Sequence, residues 1–160
     1  MKNKTVVIGI GNPFLQDDRA GVAVAEKLEE MGAACDTEVV LTVGFEVMDK
    51  AKGYDRAIIV DACMLGNEPG SILELSVDDI FSTHALANSH AITLGTTLKT
   101  ANMCFPDEMP ADMILMLIEV KDIKEFTRQM SEPVEKAVDQ VVERIMALVD
   151  APVSSELAVN

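Results

Sequence analysis

The feature that most restricts the fold is a repeated alternation of short, uninterrupted β-branched runs with apolar stripes at helical spacing. Thr5-Val6-Val7-Ile8-Gly9-Ile10 is the first such run, of the kind that suits a strand covered on both faces, and it ends at the turn signal Gly11-Asn12-Pro13. From Asp18 onward, Val24, Leu28 and Met31 recur at i, i+4 and i+7, and Gly32 supplies a stop. A second strand is expected from Glu38 to Thr42, a short helix from Phe45 to Ala51 closing near Gly53, and a third strand from Ala57 to Val60 that stops at Asp61.

Beyond Asp61 the punctuation changes. Asn67-Glu68-Pro69-Gly70 marks a turn, Ile72 to Leu75 a short strand, and Val77 to Asn88 a loop with room for one helical turn. His90 to Ala101 has helical spacing, Pro106 to Pro110 is a loop, and Met113 to Ile118 is another buried-strand run. The last helix is the best marked. Ser131 is placed to cap it, Glu132 and Glu135 sit near its positive end, and Val134, Ala137, Val138, Val141, Val142, Ile145 and Met146 form one stripe. Residues 151–160 have no period and are expected to fray, which leaves 1–150 as a single domain. Strands alternating with helices require right-handed crossovers, so the expected architecture is a three-layer α/β sandwich: a mainly parallel, twisted sheet of about five strands with helices on both faces.

Charge and cysteine usage remove several function classes. Twenty-seven acidic against thirteen basic side chains leave a formal charge of −14, which opposes a phosphate-tracking surface and excludes nucleic acid as the expected partner. No apolar run reaches 18 residues, and Met1-Lys2-Asn3-Lys4 leads straight into a strand-like segment rather than a secretory signal. A cytoplasmic protein, monomeric and without a membrane partner, is the expectation. Cys35, Cys63 and Cys104 form no CxxC or Cys/His cluster, which fits a reducing compartment and argues against a zinc knuckle or a redox pair.

In parallel α/β sheets the working crevice lies outside the carboxyl ends of the strands. Asp17 and Asp18 follow the first strand, Asp61 ends the third, and His90 opens the helix after the fourth. Each has a structural alternative: a helix-dipole partner for Asp17 or Asp18, a solvent-facing strand end for Asp61, a cap or packing role for His90, with His84 as its competitor. Together, two carboxylates and one imidazole suit a borderline divalent ion and leave positions open for water or substrate. Gly9-Ile-Gly11 begins like a dinucleotide fingerprint, but the third glycine would have to stand at Phe14, and Asp17-Asp18 would repel a pyrophosphate. HExxH and GxSxG are absent, so zincin and serine-hydrolase schemes have no support.

With these residues in view, the chain resembles the hydrogenase maturation proteases, the endopeptidases that trim the C-terminal extension of a [NiFe] hydrogenase large-subunit precursor. The resemblance spans about residues 5 to 149. It rests on Gly9-Ile-Gly11-Asn12-Pro13 running into Asp17-Asp18 with Gly21, on Thr42-Val43-Gly44-Phe45-Glu46, and on Tyr54-Asp55-Arg56-Ala57-Ile58-Ile59-Val60-Asp61-Ala62. Ser89-His90 with Leu94 and the Ser131 to Val138 segment complete it. The family implies that Asp18, Asp61 and His90 are the catalytic residues and contact nickel. That nickel would arrive in the precursor as the recognition element, so that the protease owns no permanent metal. It also implies a substrate cleft lined by the Thr42-Val43-Gly44 bend, with Asp17 beside it. Two departures stand out: many relatives have Asp-Gly-Gly-Thr where this chain has Val39-Val40-Leu41-Thr42, and Arg19 replaces a common glycine. A non-cleaving, nickel-dependent holding protein for the same precursor is the alternative function; a nucleotide-binding α/β protein is a third.

Overall fold

The apolar runs become the strands β1 (Thr5–Ile10), β2 (Asp36–Val40), β3 (Arg56–Cys63), β4 (Ile72–Ser76) and β5 (Asp112–Glu119). A computed structural model describes residues 3–83, 86 and 89–153. The strands form one sheet in the order β2-β1-β3-β5-β4, parallel except for β4, which lies antiparallel against β5 at the edge. β1 is buried along its whole length, as its unbroken β-branched run requires. The helices are α1 (Ala20–Glu30), α2 (Phe45–Ala51), α3 (Val77–Ser82), α4 (His90–Cys104) and α5 (Glu132–Val149).

Alternating strand residues divide the core into two halves. Val6, Ile8, Ala57, Ile59 and Leu115 face α2, α3 and α4, whereas Val7, Ile58, Val60 and Met116 face α1 and α5. The expected three-layer α/β sandwich with five strands and helices on both faces is therefore present. The α5 stripe of Val134, Val138, Val141 and Ile145 is buried to 1% exposure or less. Each such side chain contributes about 1.5–3 kcal/mol of transfer free energy, which is what holds this long helix against the sheet.

Register explains where the elements depart from the expected limits. β2 pairs with β1 from Val6↔Asp36 to Ile10↔Val40, so it starts and stops two residues early, where its partner ends. β3 does not stop at Asp61; it continues through Asp61↔Leu117 to Cys63↔Glu119 because β5 runs on beside it. The segment after β4 is a true helical turn closed by a reciprocal capping box between Ser76 and Asp79. The chain after Asp150 is tied down over its first three residues rather than frayed. The buried Arg56 guanidinium donates to the carbonyls of Leu148, Ala151 (3.1 Å) and Pro152 (2.8 Å) while paired with Asp112, and Val153 is buried. The rest of that stretch, 154–160, lies outside the described residues. Among the described residues no helix is long and apolar enough to cross a membrane.

Candidate active site

From β1 the chain reaches β2 on one side and β3 on the other, so the sheet changes direction between β1 and β3 and opens a crevice at their carboxyl ends. Glycines let the backbone close around it. A Cβ on Gly21 would fall 2.4 Å from the Val60 carbonyl oxygen and 2.6 Å from that of Ile10, so only glycine lets α1 lie this near the strand ends. Gly11, at φ +148°, has the Asp18 carbonyl oxygen 2.0 Å from where a Cβ would stand. That turn brings the Asn12 N–H onto Asp18, donating to Oδ2 at 2.8 Å and orienting the carboxylate. Asp18 itself lies in the 3-10 turn Gln16–Arg19, half-buried, just before α1.

Asp61 is carried by β3 and is only 5% exposed. Its Oδ1 accepts from the Ala62 N–H at 2.8 Å. Burial pushes its pKa up to about 7; the Ala62 donor works against that rise and the Asp18 charge adds to it. A carboxyl poised near neutrality can both accept and return a proton. His90, the first residue of α4, is exposed, and Ser89 before it adopts the extended conformation that starts the helix.

These three side chains line one cavity of about 230 Å³, together with Cys63, Met64 and Val120 among others. The structure thus gathers Asp18, Asp61 and His90, the first and last 72 positions apart, onto a single recess. They share its wall without closing on one point: among the described residues, no three His, Cys, Asp or Glu side chains are spaced to hold an ion. His84 lies outside the described residues.

The remaining expected cleft residues do not line this cavity. Asp17 is fully buried and does not line the recess, accepting from the N–H groups of Lys121 (2.9 Å), Asp122 (3.0 Å) and Ser131 (2.7 Å) and from the Ser131 hydroxyl (2.8 Å). It is a clasp between the 3-10 turn and the β5–α5 loop, and the Ser131 hydroxyl is consequently committed to Asp17 rather than to capping α5. Thr42 is exposed in the loop after β2, and Gly44 precedes α2 with open space about it; neither lines the cavity.

Sequence reasoning missed Glu119, 3% exposed at the end of β5. Its carboxylate accepts from the N–H groups of Leu65 (2.9 Å) and Gly66 (2.8 Å) and from the Cys63 thiol (3.2 Å), thereby shaping the loop that walls the cavity. The signal was available: Ile118-Glu119 repeats the pattern of Val60-Asp61, an acid closing a buried run. Burial raises the Cys63 thiol pKa, and Glu119 raises it further, so the sulfur beside the recess stays protonated and is no nucleophile.

Comparison with known proteins agrees with the resemblance. The family model described as hydrogenase maturation protease matches residues 22–148. A Methanocaldococcus jannaschii protein assigned to the hydrogenase maturation proteases is 30% identical over 91% of this chain and 97% of its own. The hydrogenase 2 maturation protease of Escherichia coli is 25% identical over 90% and 89%. Among solved structures, the [NiFe] hydrogenase maturation protease HybD from Thermococcus kodakarensis superposes with a TM-score of 0.75 at 23% identity, covering 92% of this chain and 99% of that one. The E. coli hydrogenase maturating endopeptidase HybD gives 0.73 at 23%, covering 91% of each, so the fold is shared throughout. The chain belongs to the hydrogenase maturation protease family and, with it, to the endopeptidases.

Proposed function

We propose that this protein removes the C-terminal extension of a nickel-loaded [NiFe] hydrogenase large-subunit precursor, acting in the cytoplasm as a monomer. The observation that carries the reading is the meeting of Asp18, Asp61 and His90 on one recess at the point where the sheet changes direction. Nickel is read as part of the substrate: two hard anions and an imidazole on one recess are the donors a borderline divalent ion accepts.

The chemistry follows from the unequal environments of the two acids. Asp18, half-buried and fed by the Asn12 N–H, presents a charge at the mouth. Asp61, buried and titrating near 7, takes a proton from water as that water attacks the scissile carbonyl. The C–N bond then breaks, and the proton passes from Asp61 to the departing amine, which restores the carboxylate. His90, at the exposed edge, orients the incoming segment.

Incubating the protein with nickel-loaded precursor and weighing the product by mass spectrometry tests this. Cleavage yields a shortened subunit and a released tail. An unchanged mass would favour the non-cleaving holding protein. Undiminished processing by both Asp61→Asn and His90→Ala would remove those residues from the mechanism.

A further inference from the structure

Five of the large apolar side chains left exposed stand just beyond the ends of parallel strands, four in loops and Phe45 at the start of α2: Phe14 after β1, Leu41 and Phe45 after β2, Met64 after β3 and Phe126 after β5. Parallel strands deliver those loops to one end of the sheet, the end at which Asp18, Asp61 and His90 line the recess. Met64 lines that recess directly. The loops are also joined to one another. The Gly11 N–H donates to the Val40 carbonyl at 3.0 Å, the Gln16 N–H donates to the Thr127 carbonyl at 3.1 Å, and the Gln16 side chain accepts from the N–H groups of Lys124 and Glu125. The apolar groups are thus held on a braced rim.

Three of the exposed rings lie beside a cation: Phe14, on the rim, has the Arg128 guanidinium 5.6 Å from its centroid, and the other two stand away from the rim. Phe81 lies under the Lys99 ammonium at 4.9 Å, and Phe105 under that of Lys52 at 4.0 Å. Phe45 and Phe126, 73% and 84% exposed, have no cation stacked on them among the described residues. At roughly 150–250 Å² for each large side chain, the exposed fractions of the five amount to roughly 500–850 Å². One side of a standard protein–protein interface is about 800 Å², so this rim alone approaches that area.

We propose that the rim is the docking surface for the folded body of the precursor whose tail enters the recess; this rests on the endopeptidase reading above. A tail threaded into a cavity of about 230 Å³ covers its mouth and leaves the outlying phenylalanines bare, so the occupant is a folded surface. A second copy of this chain seated there would close the same mouth to substrate. The rim therefore selects a folded partner that presents an apolar patch around the base of its own tail.

The test uses the full chain and the nickel-loaded, tail-bearing large-subunit precursor of the same organism, and measures Kd and cleavage separately. The Phe45→Ser/Phe126→Ser variant is compared with Met103→Ser, an exposed methionine at the far end of α4. The rim variant should raise Kd and KM by about 10- to 100-fold while kcat at saturating precursor stays within about twofold, and Met103→Ser should change neither. Circular dichroism and melting of the rim variant establish that it is folded; if it is not, Phe126→Ser alone is measured and must raise Kd. Unchanged Kd in folded rim variants overturns the docking surface and leaves the endopeptidase reading standing. Wild-type binding that is lost in the rim variants, without any cleavage, keeps the docking surface and sinks the endopeptidase. A wild-type dimer by light scattering that the rim variant converts to monomer assigns the rim to a second copy and also overturns the proposal.

Discussion

Replacing Asp61 by asparagine should make the free protein more stable, in proportion to pH. The Asp61 pKa rises from the ordinary 3.8 to about 7 on folding, chiefly by burial. A folded-state acid with a raised pKa binds more protons than the unfolded chain does, so stability is lost as pH rises. The loss begins near the unfolded value, is complete once pH exceeds the folded one, and amounts to roughly 4 kcal/mol. Asparagine has nearly the same shape, carries no charge and can still accept from the Ala62 N–H through its amide oxygen. Allowing for local relaxation, Asp61→Asn should gain about 2–4 kcal/mol at pH 8, or roughly 5–12 °C in Tm for a chain of this size. At pH 4 the gain should shrink to under about 1 kcal/mol, because the wild-type carboxyl is then neutral in the fold. Urea titrations of both proteins at pH 8 and pH 4, without precursor, measure it. An equal gain at the two pH values, or none at pH 8, would refute the electrostatic argument. A stabilised but inactive Asp61→Asn protein would instead show that the fold bears this cost for function.

Two further outcomes follow from the neighbours of the recess. Asp17→Ala leaves three backbone N–H groups and the Ser131 hydroxyl without their buried acceptor and should cost about 3–5 kcal/mol in chemical denaturation, whereas an exposed acid such as Asp139 costs under about 1 kcal/mol. Cys63→Ser should leave precursor processing within about threefold of wild type, and iodoacetamide at pH 8 should label exposed Cys104 well before Cys63, read by peptide mass mapping.

Much of the fold was legible because its signals are local. The unbroken runs at 5–10 and 113–118 and the stripe of α5 each report a strand or helix without reference to the rest of the chain. Asp18, Asp61 and His90 were legible by position, since acids and imidazoles just beyond buried strands collect at one rim in a parallel sheet. Asp17 was not separable from Asp18: two identical side chains adjacent in sequence take different partners, and only the β5–α5 loop, more than a hundred residues away, supplies the donors that claim the first. Thr42 and Gly44 were placed by analogy with a motif this chain only partly carries, and they do not line the cavity that holds Asp18, Asp61 and His90.

The amino-acid sequence by itself determined the alternation, the two-sided core and the identity of the three rim residues, because patterning and residue chemistry are carried within short windows. Tertiary structure decided what no window contains. It set the length of β3 through its pairing with β5, the role of Glu119 through the loop folded over it, and the anchoring of 151–153 through Arg56. It also set the proton affinity of Asp61, since desolvation depends on what the rest of the chain packs around a group rather than on the residues beside it.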